Sequence, residues 1–311
     1  MTPLVSIIVP TFRRFDPLLR TLEDLIAQDH PRFEIIVADQ NPEWPASHHA
    51  AIARFQADPR IECMSGSPGV VAARNRAVAR SRGDLLLFVD DDVLVPDRTL
   101  LARHAANYDD PAVMAVVGRE RQPGDQFDQT SGPEGQTKSA ALPPPAGQSP
   151  LQQALFFNRN GDRRQQVCTF STCNSSVRRS AWFAVGGFDE RFRGNSYGDD
   201  YDFALRLHAR GHAIVYDPSA WLVHLRAPAG GLRLTDRQNP VDMTATAEGL
   251  WLFVLRHGHR GMYAWLVWHH VLRKTVALRR HFFEPWQQLQ VAWSVTRALP
   301  RAMGHMRHQH E

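Results

Sequence analysis

Cysteine is scarce: Cys63, Cys168 and Cys173 are the only three among 311 residues, and no Cys-x-x-Cys pair occurs. Three thiols cannot build a disulfide framework. No apolar run reaches the roughly 18 to 20 residues that a membrane-spanning helix needs. The N-terminus passes at once into a strand-like run, without the basic, apolar and small-residue order of a secretory leader. Together these absences predict a reduced, cytoplasmic compartment. No internal repeat occurs either. What is present, 43% hydrophobic and 22% charged residues, excludes wholesale disorder, collagen and coiled coil and leaves a globular chain with ample core material.

Charge is unevenly spread. The formal balance is +4 and the isoelectric point about 9.2, which on its own invites a nucleic-acid reading. From Trp251 to Glu311, however, nine Arg or Lys face only Glu284 and Glu311. The body up to residue 250 is therefore mildly acidic and the C-terminal region basic. This distribution speaks against a nucleic-acid partner for the body.

The run at 4–9, Leu-Val-Ser-Ile-Ile-Val, closed by Pro10, has the β-branched character of a strand buried on both faces. A helix is predicted next, with Asp16 as N-cap and Pro17 at its first position, presenting Leu18, Leu22, Leu25 and Ile26 on one face. Phe33–Ala38 is a second strand that ends at Asp39. A helix over 69–82 and a strand at Leu85–Val89 follow, the latter running into Asp90-Asp91-Asp92. Alternating strands and helices predict right-handed crossovers and a mostly parallel sheet. Further strands are expected at Val113–Gly118, Ile214–Tyr216 and Trp221–Leu225. Helices are expected from Ser180, over Asp199–Arg210 (closed by Gly211), and from about Ala245 onward. The division predicted is a domain over 1–240 and a basic, aromatic helical region over 241–311. Within the first, 119–166 is rich in Gly, Pro, Gln and Ser and reads as a variable segment on the acceptor side.

Polar residues collect where the strands end: Thr11, Asp39 and Asp90–Asp92. In an open α/β sheet that edge binds ligands. Three adjacent carboxylates repel one another, and a divalent cation is the common remedy, with Mg²⁺ or Mn²⁺ suited to hard oxygen donors. The competing reading is a solvated acidic turn. A second acidic cluster, Tyr197-Gly198-Asp199-Asp200-Tyr201-Asp202, opens a helix. There Asp199 and Asp202 read as caps and dipole partners, Asp202 with Arg206 one turn on. Asp200 is the candidate base. Asn174 reads as a turn residue or a ligand contact, Trp182 as core, and Cys168 and Cys173 as packed thiols.

In order, SIIVPTF at 6–12, EIIVAD at 34–39, ARNRAVARSRGDLLLFVDDD at 73–92, GGFDERF at 186–192, GDDYDFALRL at 198–207 and His224 in WLVHL resemble a family 2 glycosyltransferase of the GT-A fold. The likeness spans roughly residues 4–235. It implies a Rossmann-like, mostly parallel sheet and a nucleotide-sugar-dependent, inverting transferase of hexosyltransferase type. It also implies that Pro10 and Thr11 line the nucleobase pocket, that Asp39 accepts a hydrogen bond from the base, and that Arg74 lies near it. Asp90 would contact the ribose, Asp91 and Asp92 would hold Mn²⁺ or Mg²⁺ on the diphosphate, and His224 would add a ligand. Asp199-Asp200 match the acidic pair whose second member deprotonates the acceptor. The chain departs from the family pattern after Asp39, where Gln40-Asn41-Pro42 replaces the usual Asp-Gly-Ser.

The implied reaction moves a sugar from a nucleotide donor to a hydroxyl on a surface or envelope glycan or a lipid-linked acceptor. A nucleotidyltransferase is the rival enzyme, but it usually needs a glycine-rich basic loop after the first strand, where this chain has Pro10-Thr11-Phe12-Arg13-Arg14. A non-catalytic sugar-nucleotide or glycan-binding protein is the rival of another class, and binding alone does not need a base. Residues 262–280 mix Trp, Tyr and apolar residues with Arg273-Lys274 and Arg279-Arg280. This composition suits a bilayer interface and a peripheral membrane protein; the plainer reading is a helical subdomain packed on the catalytic domain.

Overall fold

The computed structural model describes residues 2–123, 149–231, 244–258 and 285–307. Their strands and helices, in chain order, are β1 (Val5–Thr11), α1 (Phe15–Ile26), β2 (Phe33–Asp39), α2 (His49–Gln56), β3 (Ile61–Ser65), α3 (Val70–Arg80), β4 (Leu85–Val89), β5 (Val93–Leu94), α4 (Leu100–Ala106), β6 (Val113–Arg121), α5 (Pro150–Phe156), β7 (Gln165–Val167), β8 (Asn174–Arg178), α6 (Arg179–Val185), α7 (Asp199–Ala209), β9 (Ala213–His224), α8 (Thr244–His257) and α9 (Pro285–Arg307). The chain divides into two units: residues 1–188 with 203–231, and residues 189–202 with 232–311.

The first unit is built on one sheet of order β3-β2-β1-β4-β8-β6-β9-β5, with β7 on β9. The half made by β3, β2, β1 and β4 is wholly parallel, as the alternation of strands and helices predicts. β1, β2 and β4 are buried along their whole length, which explains their largely apolar runs; the buried polar pair Ser6 and Glu34 is joined by a hydrogen bond of 2.7 Å. β8 enters antiparallel between β4 and β6, and β9 returns parallel to β6 with a register shift at Gly118/Arg119. That irregularity lets one continuous strand cover the two short strands predicted at 214–216 and 221–225.

The amphipathic pattern of α1 buries Leu18, Leu22 and Leu25 completely, each contributing about 1.5–3 kcal/mol. The helix starts at Phe15 rather than at Asp16-Pro17, because Arg13 takes a left-handed φ of 55° and Leu18 N donates to Arg14 O at once. α1 also pins the end of β4. The Thr21 hydroxyl lies between the carbonyls of Asp91 and Val93 and accepts from Val93 N. Around the segment 124–148, which lies outside the described residues, β6 runs on to Arg121. α5 opens with a reciprocal capping box between Ser149 and Gln152.

The second unit holds α8 and α9 packed together. Leu250, Phe253, Val254, Val295, Ala298 and Ala302 are buried, and the Trp251 indole donates to Val295 O at 3.0 Å. Its polar braces are His305 to Glu248 at 2.8 Å and Arg297 to Thr244 at 2.8 Å. Among the described residues no helix is long and apolar enough to cross a membrane. Residues 262–280, expected from their composition to suit a bilayer interface, lie outside the described residues.

Candidate active site at the sheet rim

Parallel pairing fixes the rim. Thr11 stands opposite Asp39 and Pro10 opposite Ala38, while β4, on the other side of β1, ends one residue before Asp90. The carboxylate of Asp39 is oriented by three donors. Asn41 gives its backbone N–H at 2.9 Å and its side-chain amide at 2.7 Å to Oδ1, and the Trp44 indole reaches Oδ2 at 2.5 Å. Gln40 braces the same corner by accepting from Gly69 N at 2.8 Å, and the Asn41 side-chain Oδ1 accepts from Arg13 N at 2.7 Å. The departure at Gln40-Asn41 thus organises Asp39.

The three consecutive carboxylates occupy different surroundings. Asp91 and Asp92 are buried, and one Arg14 nitrogen lies 2.9 Å from an oxygen of each. Burial pushes the Asp91 carboxyl up to about 7, with Arg14 pulling the other way. At Asp92 burial also acts upward, but His224 and Arg14 outweigh it and hold the group below the usual carboxylate range. At His224 burial works to lower the pKa, and Asp92 and Asp90 outweigh it, so the imidazole is raised. Asp90 is more open, with the buried Arg74 guanidinium 3.4 Å away and seated over the Phe188 ring. A strap from Leu225 to Gly231 runs alongside. Leu225 N and Ala227 N donate to Asp92 O and Oδ2, Arg14 donates to Ala229 O, and Gly231 N donates to Phe12 O.

The residues fit a divalent cation. Asp92 Oδ1 is buried without a well-aligned hydrogen bond. It lies 3.4 Å from His224 Nε2, which is itself 3.9 Å from Asp90 Oδ2. Two carboxylates and an imidazole are a donor set for Mn²⁺ or Mg²⁺. Cys173 Sγ also lies within 4.8 Å of ligand atoms of both Asp90 and His224.

In the second unit, Asp199, Asp200 and Asp202 occupy the first turn of α7. Asp199 is buried and its N–H bonds Ser196 O. Asp202 is fully buried and pairs with His257 at 2.7 Å and Arg256 at 3.2 Å. Asp200 alone of the three is partly exposed. Gly198 sets up this turn. With a φ of 98°, it leaves little room for a side chain beside Phe192 and Phe253.

Residues 6–183 match the family described as Glycosyl transferase family 2, more than half of the chain. The chain belongs to glycosyl transferase family 2. It is 32% identical over 230 residues to the O-antigen biosynthesis protein RfbC of Myxococcus xanthus, covering 72% of this chain and 17% of that one. It is 28% identical over 238 residues to the succinoglycan biosynthesis protein ExoM of Rhizobium meliloti (strain 1021), covering 72% and 67%. The chain thus spans only a small part of the Myxococcus xanthus protein. Among solved structures it resembles the mannosyltransferase PcManGT from Pyrobaculum calidifontis in complex with GDP-Man and Mn2+, with TM-score 0.55 and 19% identity over 99% of this chain and 80% of that one. It also resembles GalNAc-T7 with UDP, GalNAc and Mn2+, with TM-score 0.58 and 13% identity over 81% and 48%. At these identities the structures show the GT-A fold.

Within this family 2 rim, several residues escape a reading by motif. Arg14, Trp44 and Cys173 all reach rim carboxylates or lie against them; only the Arg13-Arg14 pair directly after β1 offers a sequence signal for one of them. Asn174, read as a turn residue or a ligand contact, is instead the first residue of β8 and wholly buried. Its amide donates to Arg119 O and Ala220 O, each at 3.0 Å, so its oxygen accepts from His104 Nε2 at 3.0 Å. His104 Nδ1 then accepts from Ser176 Oγ at 2.9 Å. Burial lowers His104 to about 4, so it is neutral at physiological pH. Trp182 is core, stacked on Phe88 at 5.2 Å.

Proposed function

We propose that this family 2 protein transfers a sugar from a nucleotide-sugar donor to a hydroxyl of a surface polysaccharide or lipid-linked glycan, with inversion and with a divalent cation. The observation that carries the reading is the rim itself. Three parallel strands deliver Thr11, Asp39 and Asp90–Asp92 to one edge, β9 adds His224, and a buried Asp92 oxygen there lacks a well-aligned hydrogen bond. The relatives named for O-antigen and succinoglycan biosynthesis support the polysaccharide class.

On this reading Pro10, Thr11 and Asp39 receive the base, with Asp39 oriented to accept from it and Arg74 close by. Asp90 takes the ribose. Asp92, His224 and Asp91 hold the Mn²⁺ or Mg²⁺ ion, which when bound would neutralise charge on the departing diphosphate. Asp91 is tied to Arg14, so within that set it acts through the guanidinium that it shares with Asp92. Asp200, at a helix N-terminus that favours its ionised form, takes the proton of the acceptor hydroxyl as that oxygen attacks the anomeric carbon. Asp199, buried beneath the turn, positions it. A single displacement of this kind inverts the anomeric centre.

The test is a thermal-shift panel of nucleoside diphosphates with and without Mn²⁺, followed by transfer assays with the donor the panel selects. Stabilisation that needs both nucleotide and ion, with nucleoside diphosphate as product, supports the reading. Pyrophosphate as product, or nucleotide binding indifferent to the ion, overturns it. The predicted division at residue 240 and the cytoplasmic, peripheral placement belong to the same proposal. Replacing Arg273, Lys274, Arg279 and Arg280 with Gln should abolish sedimentation with anionic vesicles, and sedimentation unchanged by it removes the membrane role.

A further inference from the structure

We propose that Cys173 is a metal ligand, and that Asp90, Cys173 and His224 form a site selective for thiophilic divalent ions such as Zn²⁺ and Co²⁺. The inference shares Asp90 and His224 with the donor-site reading above, and the experiment below separates the two.

The three side chains come from different parts of the chain and are brought together by sheet register. Val89 pairs with Asn174, setting Asp90 just beyond the end of β4 and Cys173 just before the start of β8. Val93 pairs with His224, closing the third side. A carboxylate oxygen, a sulfur and an imidazole nitrogen then lie within 4.8 Å of one another. Ligands about 2.0–2.3 Å from a tetrahedral zinc ion stand roughly 3.5 Å apart, so closure needs about 1 Å of side-chain movement. Asp92 Oδ1 lies 3.4 Å from His224 Nε2 and 2.9 Å from an Arg14 nitrogen, outside this group of three.

The sulfur is held firmly. Cys173 N donates to Ser171 Oγ, and the next residue, Asn174, is clamped by two backbone carbonyls and His104. These contacts fix the backbone that carries the sulfur. The plain alternative, a packed core thiol, fits the burial of Cys173. It does not account for a sulfur set within 4.8 Å of a carboxylate oxygen and an imidazole nitrogen, both strong ligands. Hard ions gain little from sulfur, whereas Zn²⁺ and Co²⁺ gain much. Cys173 therefore sets ion preference: a thiophilic ion takes Asp90, Cys173 and His224, and in doing so removes His224 from the hard-ion set. Binding forms one sulfur–metal bond and releases the thiol proton to solvent, with no change of oxidation state.

The experiment titrates metal-free, full-length protein with Co²⁺, recording thiolate-to-cobalt charge-transfer absorption in the near ultraviolet, and with Zn²⁺ by calorimetry. Wild type and Cys63→Ser/Cys168→Ser should both develop the band, and Cys173→Ser should not. Cys173→Ser should lose at least the ~10–100-fold in Zn²⁺ affinity that weaker, outer-shell changes cost elsewhere, while Mn²⁺ affinity moves less than about threefold. The chain has 15 histidines that can bind these ions through nitrogen, which is why the sulfur signature decides. Absence of the band in wild type, or its survival in Cys173→Ser, overturns the proposal. Cys173→Ala is the second variant, and circular dichroism checks that both fold. If neither does, zinc-edge X-ray absorption of wild type decides: a sulfur neighbour supports the site, and nitrogen and oxygen alone refute it. Loss of Mn²⁺-dependent nucleotide binding would sink the donor-site reading without touching the cobalt band.

Discussion

The two acidic clusters of this chain solve the same electrostatic problem in different ways. At residues 90–92 three carboxylates follow a buried strand, and a single guanidinium, Arg14, is shared by the two that are buried. At residues 199–202 the acids open a helix, and the fully buried one, Asp202, has its own partners in His257 and the Arg256 guanidinium. Arg256 also reaches Asp189, which Arg191 grips as well. The first cluster keeps a carboxylate oxygen without a well-aligned hydrogen bond; the second buries its most protected acid and leaves Asp200 partly open. One arrangement is suited to receive a cation, and the other leaves one carboxylate partly open beside a buried neighbour that has its own partners.

Breaking the second cluster at its open member should have the largest effect. Asp200→Asn is expected to lower turnover about 10³-fold with nucleoside diphosphate affinity nearly unchanged; turnover within tenfold of wild type would take the base away from Asp200. Asp202→Asn attacks the same turn as structure. Removing one partner of a buried ion pair should cost about 3 kcal/mol, read from the urea midpoint, and a loss below 1 kcal/mol would show that the pairing matters little. Asp189 sharpens the comparison through pH. Burial opposes its ionisation, but Arg191 and Arg256 outweigh this and hold it at about 2. Because the folded value lies below the unfolded one, the stabilisation is present above about pH 4 and is lost as the pH falls toward 2. Asp189→Asn should remove about 2 kcal/mol of acid-dependent stability, and parallel stability curves for the two proteins would exclude the effect. Asp92→Ala should weaken Mn²⁺-dependent nucleotide binding by at least about tenfold, with ion-independent binding retained; equal losses with and without Mn²⁺ would mean that the first cluster does not select a cation.

Much of the parallel half of the fold was readable, because β1, β2 and β4 are mostly apolar and lead into polar residues at the sheet edge. The antiparallel half was not. β8 reads Asn-Ser-Ser-Val-Arg, a loop-like string, yet Asn174, Ser175 and Ser176 are all buried. The Asn174 oxygen and the Ser176 hydroxyl pair with His104 and Tyr108, some 70 residues away, and local pattern carries no trace of such pairing. β3 and α2 are short, and their apolar content is too slight to stand out. At the site, the carboxylates were visible as runs of one residue type. The groups that tune them, Arg14, Trp44 and Cys173, are placed by strand register and strap geometry, which no spacing rule encodes.

The strap beyond β9 has a consequence for how this rim varies. Gly230 and Gly231 both have positive φ, and a side-chain carbon at Gly230 would collide with the Arg13 carbonyl, while one at Gly231 would press on the Arg14 guanidinium. Two residues that bear no charge thus decide where Arg14, between β1 and α1, rests, and with it how much negative potential Asp91 and Asp92 present. A screen for altered ion preference should therefore find hits at this pair of glycines as readily as among the acids, and these hits would reach the metal without ever touching it.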